Sequence, residues 1–180
     1  MRPQAPAVFE RLDMLEWQLC RRLARFNLYR PWLTTLRMAS HLGDWPVWVV
    51  LIVVQPLLQP EKGWQYLLQY TLTALIAIGV YRLLKTRLCR ERPFITFVGN
   101  VSRQAPARDR YSFPSGHTMH AVMFLVLTAS HLPWLAPWLV PLVALIALSR
   151  VGLGLHYASD VLAGGLIGLL FAWGSLALVG

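Results

Sequence analysis

The chain has 180 residues, of which 56% are hydrophobic and only 14% are charged. A soluble domain of this length would carry about 25% charged residues, so the composition excludes an ordinary soluble fold and indicates a protein that lies in a bilayer. The net charge of +9 would suggest nucleic acid in a soluble protein. Here Lys and Arg lie between apolar runs, as in membrane proteins, and we expect no nucleic-acid partner.

The first segment, 8–30, has apolar residues at helical spacing with arginines between them, among them Leu12, Leu15, Leu19, Arg11 and Arg22. So many charges cannot comfortably span hydrocarbon, and the pattern predicts a basic amphipathic helix in the headgroup layer. The alternative is a helix packed on its own protein. We assign residues 1–44 to this interfacial region, and expect no cleaved leader because 1–30 lack an apolar signal-peptide core.

Apolar stretches of the length of short or full membrane spans follow at 45–58, 64–84, 118–132, 134–148 and 161–179. The first covers only about 21 Å at helical rise and needs the residues before it to cross. The second is the clearest span, with aromatic residues at its start. We therefore predict an all-α polytopic membrane bundle of five transmembrane helices in a single domain, 1–180.

Three polar motifs interrupt the apolar sequence at 85–93, 114–117 and 149–160. Two predicted crossings separate the second motif from the third, and the first joins the second directly through a polar stretch. Because an even number of crossings returns the chain to the same face, the three motifs are expected to meet at one membrane surface.

The first motif contains Lys85 and Arg92-Pro93. Seven residues are nearly two helical turns, so both cations would point the same way if the preceding helix continued to Pro93. Two cations on one face suit a phosphate. A positive anchor at a helix end is the alternative.

The second motif, Pro114-Ser115-Gly116-His117, directly precedes an apolar run. Ser115 is a candidate helix N-cap, and the free N–H groups of a first helical turn bind anions. Gly116 allows close backbone approach, and His117 would stand at the same helix end, able to donate a proton. An incidental histidine beside a helix start is the alternative.

The third motif runs from Ser149-Arg150 to His156 and Asp160. Four residues place His156 and Asp160 on one helical face, where the carboxylate can hold one imidazole nitrogen and leave the other free to attack or bind. Arg150 can supply a further phosphate contact. A structural His–Asp pair is the alternative.

The other histidines have weaker signals. We interpret His41 and His131 as interfacial and His120 as packing or supporting. His117 with His120 lacks further ligands at zinc-like spacing, so we expect no metal. Cys20 and Cys89 show no disulfide framework, and the sequence leaves open whether they are paired.

Together the motifs resemble the signature of the type 2 phosphatidic acid phosphatase family, the lipid phosphate phosphatases. Its pattern is Lys, six residues, Arg-Pro; then Pro-Ser-Gly-His; then Ser-Arg, five residues, His, three residues, Asp. The match covers 85–160 without a substitution.

The resemblance implies a hydrolase without a metal or cofactor, in which His156 attacks phosphorus, Asp160 orients it and His117 protonates the leaving oxygen. It also implies that the phosphoryl oxygens are held by Lys85, Arg92, Ser115, Gly116 and Arg150, with Ser149 in support. The substrate would be a membrane lipid phosphate or diphosphate, such as undecaprenyl diphosphate, phosphatidylglycerophosphate or phosphatidate.

Many bacterial members of the family have six crossings, so six is the alternative to the five counted. We expect a multi-pass protein of the bacterial cytoplasmic membrane. All seventeen Lys and Arg except Lys62 fall on the motif side, which favours the cytoplasmic face. The resemblance favours the outer face, and both alternatives stay open.

Two other functions compete with the phosphatase. One is a non-catalytic protein that binds lipid headgroups with the same cations, and the other is a relative of the vanadium haloperoxidases, which are soluble. The polar stretch 94–113 is interpreted as a lid and headgroup reader through Phe94, Phe97, Arg103, Arg108, Arg110 and Tyr111. A merely solvated basic loop is equally compatible with it.

Overall fold

A computed structural model describes residues 6–26, 29–97 and 109–179, and most of these residues are helical. The helices are α1 (Ala7–Phe26), α2 (Arg30–Leu42), α3 (Trp45–Val53), α4 (Gln55–Leu58), α5 (Gly63–Leu88), α6 (Pro93–Thr96), α7 (Gly116–His131), α8 (Ala136–Gly152) and α9 (Ala158–Val179). Within the described ranges, the β pairing is limited to one isolated bridge between Glu91 and Tyr111. The all-α prediction is confirmed.

Proline marks where several helices begin, because its missing N–H is not needed in the first helical turn. α2, α3, α6 and α8 each have proline at their first or second position. α5 ends where Cys89 adopts a left-handed conformation, with φ of 47°. This early end turns the chain away from the helix axis four residues before Pro93.

Two helices, α5 and α9, are long and apolar enough to cross a membrane, and α8 is a shorter apolar helix. Both long helices expose large apolar side chains, such as Leu75 and Ile76 on α5 and Leu166 and Leu170 on α9. Outward-facing apolar side chains of this kind suit lipid rather than water. The number of crossings stays a prediction.

The amphipathic pattern of the N-terminal segment forms α1, as predicted. One side of α1 packs on the protein through the buried Phe9 and Cys20, whereas Met14 and Leu15 are exposed. The helix therefore has both a protein-facing side, as in the alternative that we considered, and an apolar side that faces outwards.

α7 and α9 pack closely because two glycines of α9 admit the backbone of α7. A Cβ atom at Gly164 would lie 2.4 Å from the carbonyl oxygen of Ser115, and one at Gly168 would lie 2.2 Å from that of Met119. Four-residue spacing puts both glycines on one face, as in membrane helix pairs that approach through small residues. This seam brings the start of α7 beside the start of α9, where the Ser115 N–H donates to the carbonyl oxygen of Asp160 over 3.0 Å.

Candidate active site

Residues of all three motifs line one cavity of about 840 Å³. Its polar wall contains Lys85, Arg92, Gly116, His117, Arg150 and His156. Its apolar wall is formed by side chains of α3, α5 and α7, including Trp45, Trp48, Val49, Ile52, Ile78 and Phe124. The cavity therefore joins a cationic pocket to an apolar surface, which suits a molecule with a charged head and an apolar tail.

His156 lies in the turn between α8 and α9 and is almost fully buried. Its Nε2 is 3.2 Å from the Arg92 guanidinium, and its Nδ1 is 3.6 Å from Asp160 Oδ2. Because a guanidinium only donates, Nε2 must accept, and the ring proton therefore sits on Nδ1 towards Asp160. Burial, then the charges of Arg92, Arg150 and Lys85, lower the pKa of His156 well below its usual value, so the imidazole is neutral. In a neutral imidazole the Nε2 lone pair can attack phosphorus once the Arg92 N–H turns from Nε2 to a phosphoryl oxygen.

Asp160 is held from both sides. Its Oδ2 accepts the backbone N–H of Tyr157 at 2.9 Å, and its Oδ1 accepts from the Arg90 guanidinium at 2.6 Å. Arg90 is fully buried and also contacts Asp13 at 2.7 Å and Glu16 at 2.8 Å, both on α1. α1 therefore reaches the third motif through a buried charge network.

Sequence reasoning missed Arg90 and its partners. The available signals were an arginine two residues before Arg92 and the carboxylates Asp13 and Glu16 on the arginine-rich α1. Neither signal identifies a partner, because Asp13 and Arg90 are 77 residues apart.

His117 also has a carboxylate partner that the sequence did not reveal. Its Nε2 donates to Asp44 Oδ1 over 3.1 Å, and Asp44 occupies the N-cap position of α3. Burial and then the charge of Arg150 lower the pKa of His117, and the Asp44 carboxylate partly opposes them. A bound phosphate would add a second anion beside the ring, so His117 could then hold and release a proton. The cavity thus has two His–Asp pairs, one on His117 and one on His156.

The three predicted phosphate-binding cations are buried at this cavity. Lys85 Nζ donates to the Tyr81 hydroxyl, and Arg150 donates to the Ser40 hydroxyl. Lys85 and Arg92 both contact the carboxylate of Asp109, at 2.9 Å and 3.0 Å. Asp109 was not among the predicted site residues.

Two predictions that placed a pair of motif residues on one helix were wrong, although the side chains of each pair do lie close together. α5 ends at Leu88, so Lys85 and Arg92 do not share a helix, and they converge on Asp109 only after the turn at Cys89. His156 precedes the first residue of α9 and does not share a helical face with Asp160. Spacing alone could not reveal these turns.

The predictions for Ser115, Gly116 and Ser149, the smaller motif residues, agree with the structure only in part. Ser115 occupies the N-cap position of α7, but its hydroxyl lies 3.0 Å from the Thr118 hydroxyl and makes no side-chain cap. A Cβ at Gly116 would meet the Tyr81 ring at 3.0 Å, so the glycine permits that close approach. Ser149 is buried and donates to the carbonyl oxygen of Ile146, which directs its hydroxyl to its own helix rather than to the cavity.

Each of the remaining histidines has a described contact. His120 lines the cavity and donates from Nδ1 to the Gly116 carbonyl oxygen, as a supporting residue would. His41 is largely exposed and lies 3.5 Å from Asp44. His131 stacks on Tyr66 and contacts Gln69, and its interfacial position stays a prediction.

The polar stretch after α5 is described only at its two ends. Phe94 packs beside Leu36 and Leu155, and Phe97 contacts Trp17. Arg110 is exposed and pairs with Glu91, whereas Tyr111 lines the cavity. Arg103 and Arg108 lie outside the described residues. Cys20 and Cys89 are both buried free thiols.

The chain matches a known protein family in sequence and solved proteins in structure. The family model described as the PAP2 superfamily matches residues 66–180. A solved transmembrane PAP2-type phosphatidylglycerolphosphate phosphatase from Bacillus subtilis superposes with a TM-score of 0.73 and 25% identity, covering 96% of this chain and 87% of that one. LpxE from Aquifex aeolicus gives a TM-score of 0.71 at 24% identity, covering 91% and 95%.

Characterised relatives agree with the family match. A decaprenylphosphoryl-5-phosphoribose phosphatase from Mycolicibacterium smegmatis is 35% identical over 133 residues, which are 73% of this chain and 71% of the relative. Phosphatidylglycerophosphatase B from Bacillus subtilis is 34% identical over 160 residues, covering 78% and 72%. The resemblance drawn from the three motifs is confirmed: the chain belongs to the PAP2 superfamily and is a membrane hydrolase of lipid phosphate esters.

Proposed function

We propose that this protein dephosphorylates a membrane lipid phosphate or diphosphate without a metal, through a phosphohistidine on His156. The observation that carries the proposal is the meeting of two His–Asp pairs and three buried cations at one cavity. Phosphoryl transfer chiefly requires positioning and charge stabilisation, and this set supplies both.

In the first step, Nε2 of His156 attacks phosphorus while the bond to the leaving oxygen breaks. Asp160 stabilises the charge that develops on the imidazole, and His117 gives its proton to the leaving oxygen. Lys85, Arg92 and Arg150 bind the phosphoryl oxygens, together with the Ser115 hydroxyl and the backbone N–H of Gly116 at the start of α7. Ser149 acts at most indirectly, because its hydroxyl contacts Ile146.

In the second step, water attacks the phosphohistidine. His117, now neutral, accepts a proton from that water, and the bond between Nε2 and phosphorus breaks to release inorganic phosphate. Asp44 stabilises His117 whenever it is doubly protonated. The enzyme returns to its starting protonation state.

The substrate candidates are undecaprenyl diphosphate, phosphatidylglycerophosphate and phosphatidate. A decaprenyl-linked phosphoribose phosphate joins them, because a relative's name specifies it. The apolar wall of the cavity, with Trp45 and Ile52, supports a lipid rather than a soluble phosphate ester.

A phosphate-release panel with these four lipids in one detergent and with EDTA tests the function and identifies the substrate. We expect release to continue in EDTA and to stop in His156→Ala and His117→Ala. Turnover that requires added metal, or that survives both substitutions, would contradict the mechanism.

We further propose a single multi-pass domain over 1–180, in the bacterial cytoplasmic membrane. It would have five crossings, and α1 would lie in the headgroup layer. Single cysteines at Glu61 and Arg110 test the sidedness, because both positions are exposed and the native Cys20 and Cys89 are buried. A membrane-impermeant thiol reagent on intact cells should label one of the two and spare the other. Equal labelling of both would contradict a crossing by α5.

A further inference from the structure

Asp109 links the two cations of the first motif. Its Oδ2 lies 2.9 Å from Lys85 Nζ, and its Oδ1 lies 3.0 Å from a terminal nitrogen of Arg92. The Asp109 backbone carbonyl oxygen also accepts from Arg92 Nε at 2.8 Å. One residue therefore pairs with two of the three cations that are proposed to hold phosphate.

Arg92 has each nitrogen directed to a partner. One terminal nitrogen contacts the Leu155 carbonyl oxygen and His156 Nε2, and the other terminal nitrogen and Nε contact Asp109. A phosphate oxygen that binds the second terminal nitrogen must take the place of Asp109 Oδ1. Carboxylate and phosphate use the same fork-like geometry, so the exchange requires little rearrangement of Arg92.

The three side chains differ in exposure. Lys85 and Arg92 are 9% and 3% exposed, whereas Asp109 is 41% exposed. The cations are therefore fixed in the cavity wall, while the carboxylate has a path to solvent. Burial alone would raise the pKa of Asp109, but hydrogen bonding and charge from Lys85 and Arg92 outweigh it and lower that pKa, so the group is an anion at neutral pH.

We propose that Asp109 is an internal competitor for the phosphate site, whose carboxylate bridges Lys85 and Arg92 in place of two phosphoryl oxygens. Substrate binding exchanges this carboxylate for the phosphate, and its return assists release of inorganic phosphate. The inference rests on the proposed function, because it takes these two cations as phosphate ligands. It assigns Asp109 the role of setting phosphate affinity rather than that of a catalytic residue.

The test is the affinity for inorganic phosphate, measured from the unfolding midpoint of the purified protein in detergent at increasing phosphate and constant ionic strength. Asp109→Asn keeps the side-chain shape and removes the charge. In this variant phosphate no longer has to displace two partly solvent-screened ion pairs. We therefore expect phosphate to bind about tenfold more tightly. Phosphate should also become a stronger product inhibitor, while kcat on the lipid does not rise.

Glu91→Gln is the matched control, because it removes a nearby carboxylate that pairs only with the exposed Arg110 among the described contacts. We expect its phosphate affinity to stay within about twofold. Asp109→Asn should also unfold at a lower temperature than the unaltered protein in chloride, because two buried cations lose a partner. Phosphate should then raise its midpoint more than it raises that of the unaltered protein.

An unchanged or weaker phosphate affinity in Asp109→Asn would overturn the inference and make Asp109 a positioning residue for the cations. Lys85→Met separates this failure from failure of the proposed function. If Lys85→Met loses phosphate binding while Asp109→Asn gains none, only the role of Asp109 is wrong. If Lys85→Met binds phosphate as well as the unaltered protein, the phosphate site itself is wrong.

Discussion

α5, α7 and α9 together form two clusters of polar side chains, one at the cavity and one towards the opposite ends of the helices. The two clusters differ in charge. At the cavity end, Lys85, His117 and Asp160 belong to networks of ionisable groups. Towards the other end, Gln69 Nε2 donates to Ser175 Oγ over 3.1 Å, and His131 Nε2 donates to Gln69 Oε1 over 2.9 Å. Tyr66 stacks on His131 with ring centroids 3.9 Å apart.

The difference separates two uses of buried polar groups. Amides and hydroxyls that bond one another cost little to bury and join helices. Buried charges cost more, and each buried cation of the first motif is compensated by carboxylates, Arg90 by three of them and Lys85 and Arg92 by Asp109. We infer that the charged end is kept for chemistry and the neutral end for packing.

The largest expected difference is between two single variants, one that lacks a histidine at the charged end and one that lacks a histidine at the neutral end. His156→Ala should lower the rate of phosphate release at least about 10⁴-fold, because the proposed nucleophile is lost. His131→Ala should leave the rate within about threefold and lower the free energy of unfolding by roughly 1–2 kcal/mol, through lost stacking and one hydrogen bond. Measurements of phosphate release and thermal unfolding on both variants test this prediction. An equal loss of rate in the two variants would show that the charged and neutral clusters do not differ in function.

The second effect concerns the buried network behind Asp160. Arg90→Met should lower kcat about 10²-fold with little change in KM, because Asp160 loses the donor to Oδ1. It should also lower the free energy of unfolding by about 3 kcal/mol, since the buried Asp13 and Asp160 and the partly buried Glu16 lose their shared cation. Arg110→Met, which removes an exposed cation paired with Glu91, should change both quantities little.

Arg90→Lys separates positioning from stability. It keeps the charge but lacks the planar fork that reaches three carboxylates, so we expect much of the stability to return while kcat stays low. Full recovery of kcat in Arg90→Lys would show that charge alone is required and that the geometry at Asp160 is not.

The third effect tests the seam that joins the two ends. Gly168→Ala would place a methyl group 2.2 Å from the Met119 carbonyl oxygen, and we expect a loss of about 2 kcal/mol in unfolding free energy. Gly174→Ala on the same helix meets nothing within 4 Å and is the control. Similar unfolding midpoints for the two variants would argue against close packing of α7 on α9.

The smallest effect is at the neutral end. Ser175→Ala removes the hydroxyl that contacts Gln69 and Thr73, at 3.1 Å and 2.7 Å. We expect a loss of about 1 kcal/mol in unfolding free energy and no measurable change in phosphate release. A large fall in activity would show that the neutral cluster influences the cavity.

Local features were predictable from the sequence. The apolar run at 64–84 forms most of α5, and α7 begins directly after Ser115 as expected, although the Ser115 hydroxyl makes no cap. Convergence of the three motifs followed from counting crossings and needed no atomic detail. These features depend on composition and on residues close together in the chain.

The partners of the motif residues were not predictable. His117 meets Asp44 across 73 residues, and Arg90 meets Glu16 across 74. Such pairs are decided by how helices pack, which spacing within one segment does not encode. The turn at Cys89 also lies where a non-glycine residue adopts a positive φ, and residue type gives no warning of this.

Detection of the covalent intermediate tests the central claim most directly. Protein mixed with lipid substrate for milliseconds, quenched with alkali and digested should yield a peptide phosphorylated at His156, because phosphohistidine survives alkaline conditions. The label should decay as inorganic phosphate appears, and His117→Ala should slow both its formation and its decay. A phosphate burst with no phosphorylated His156, or phosphate on another residue, would contradict the account.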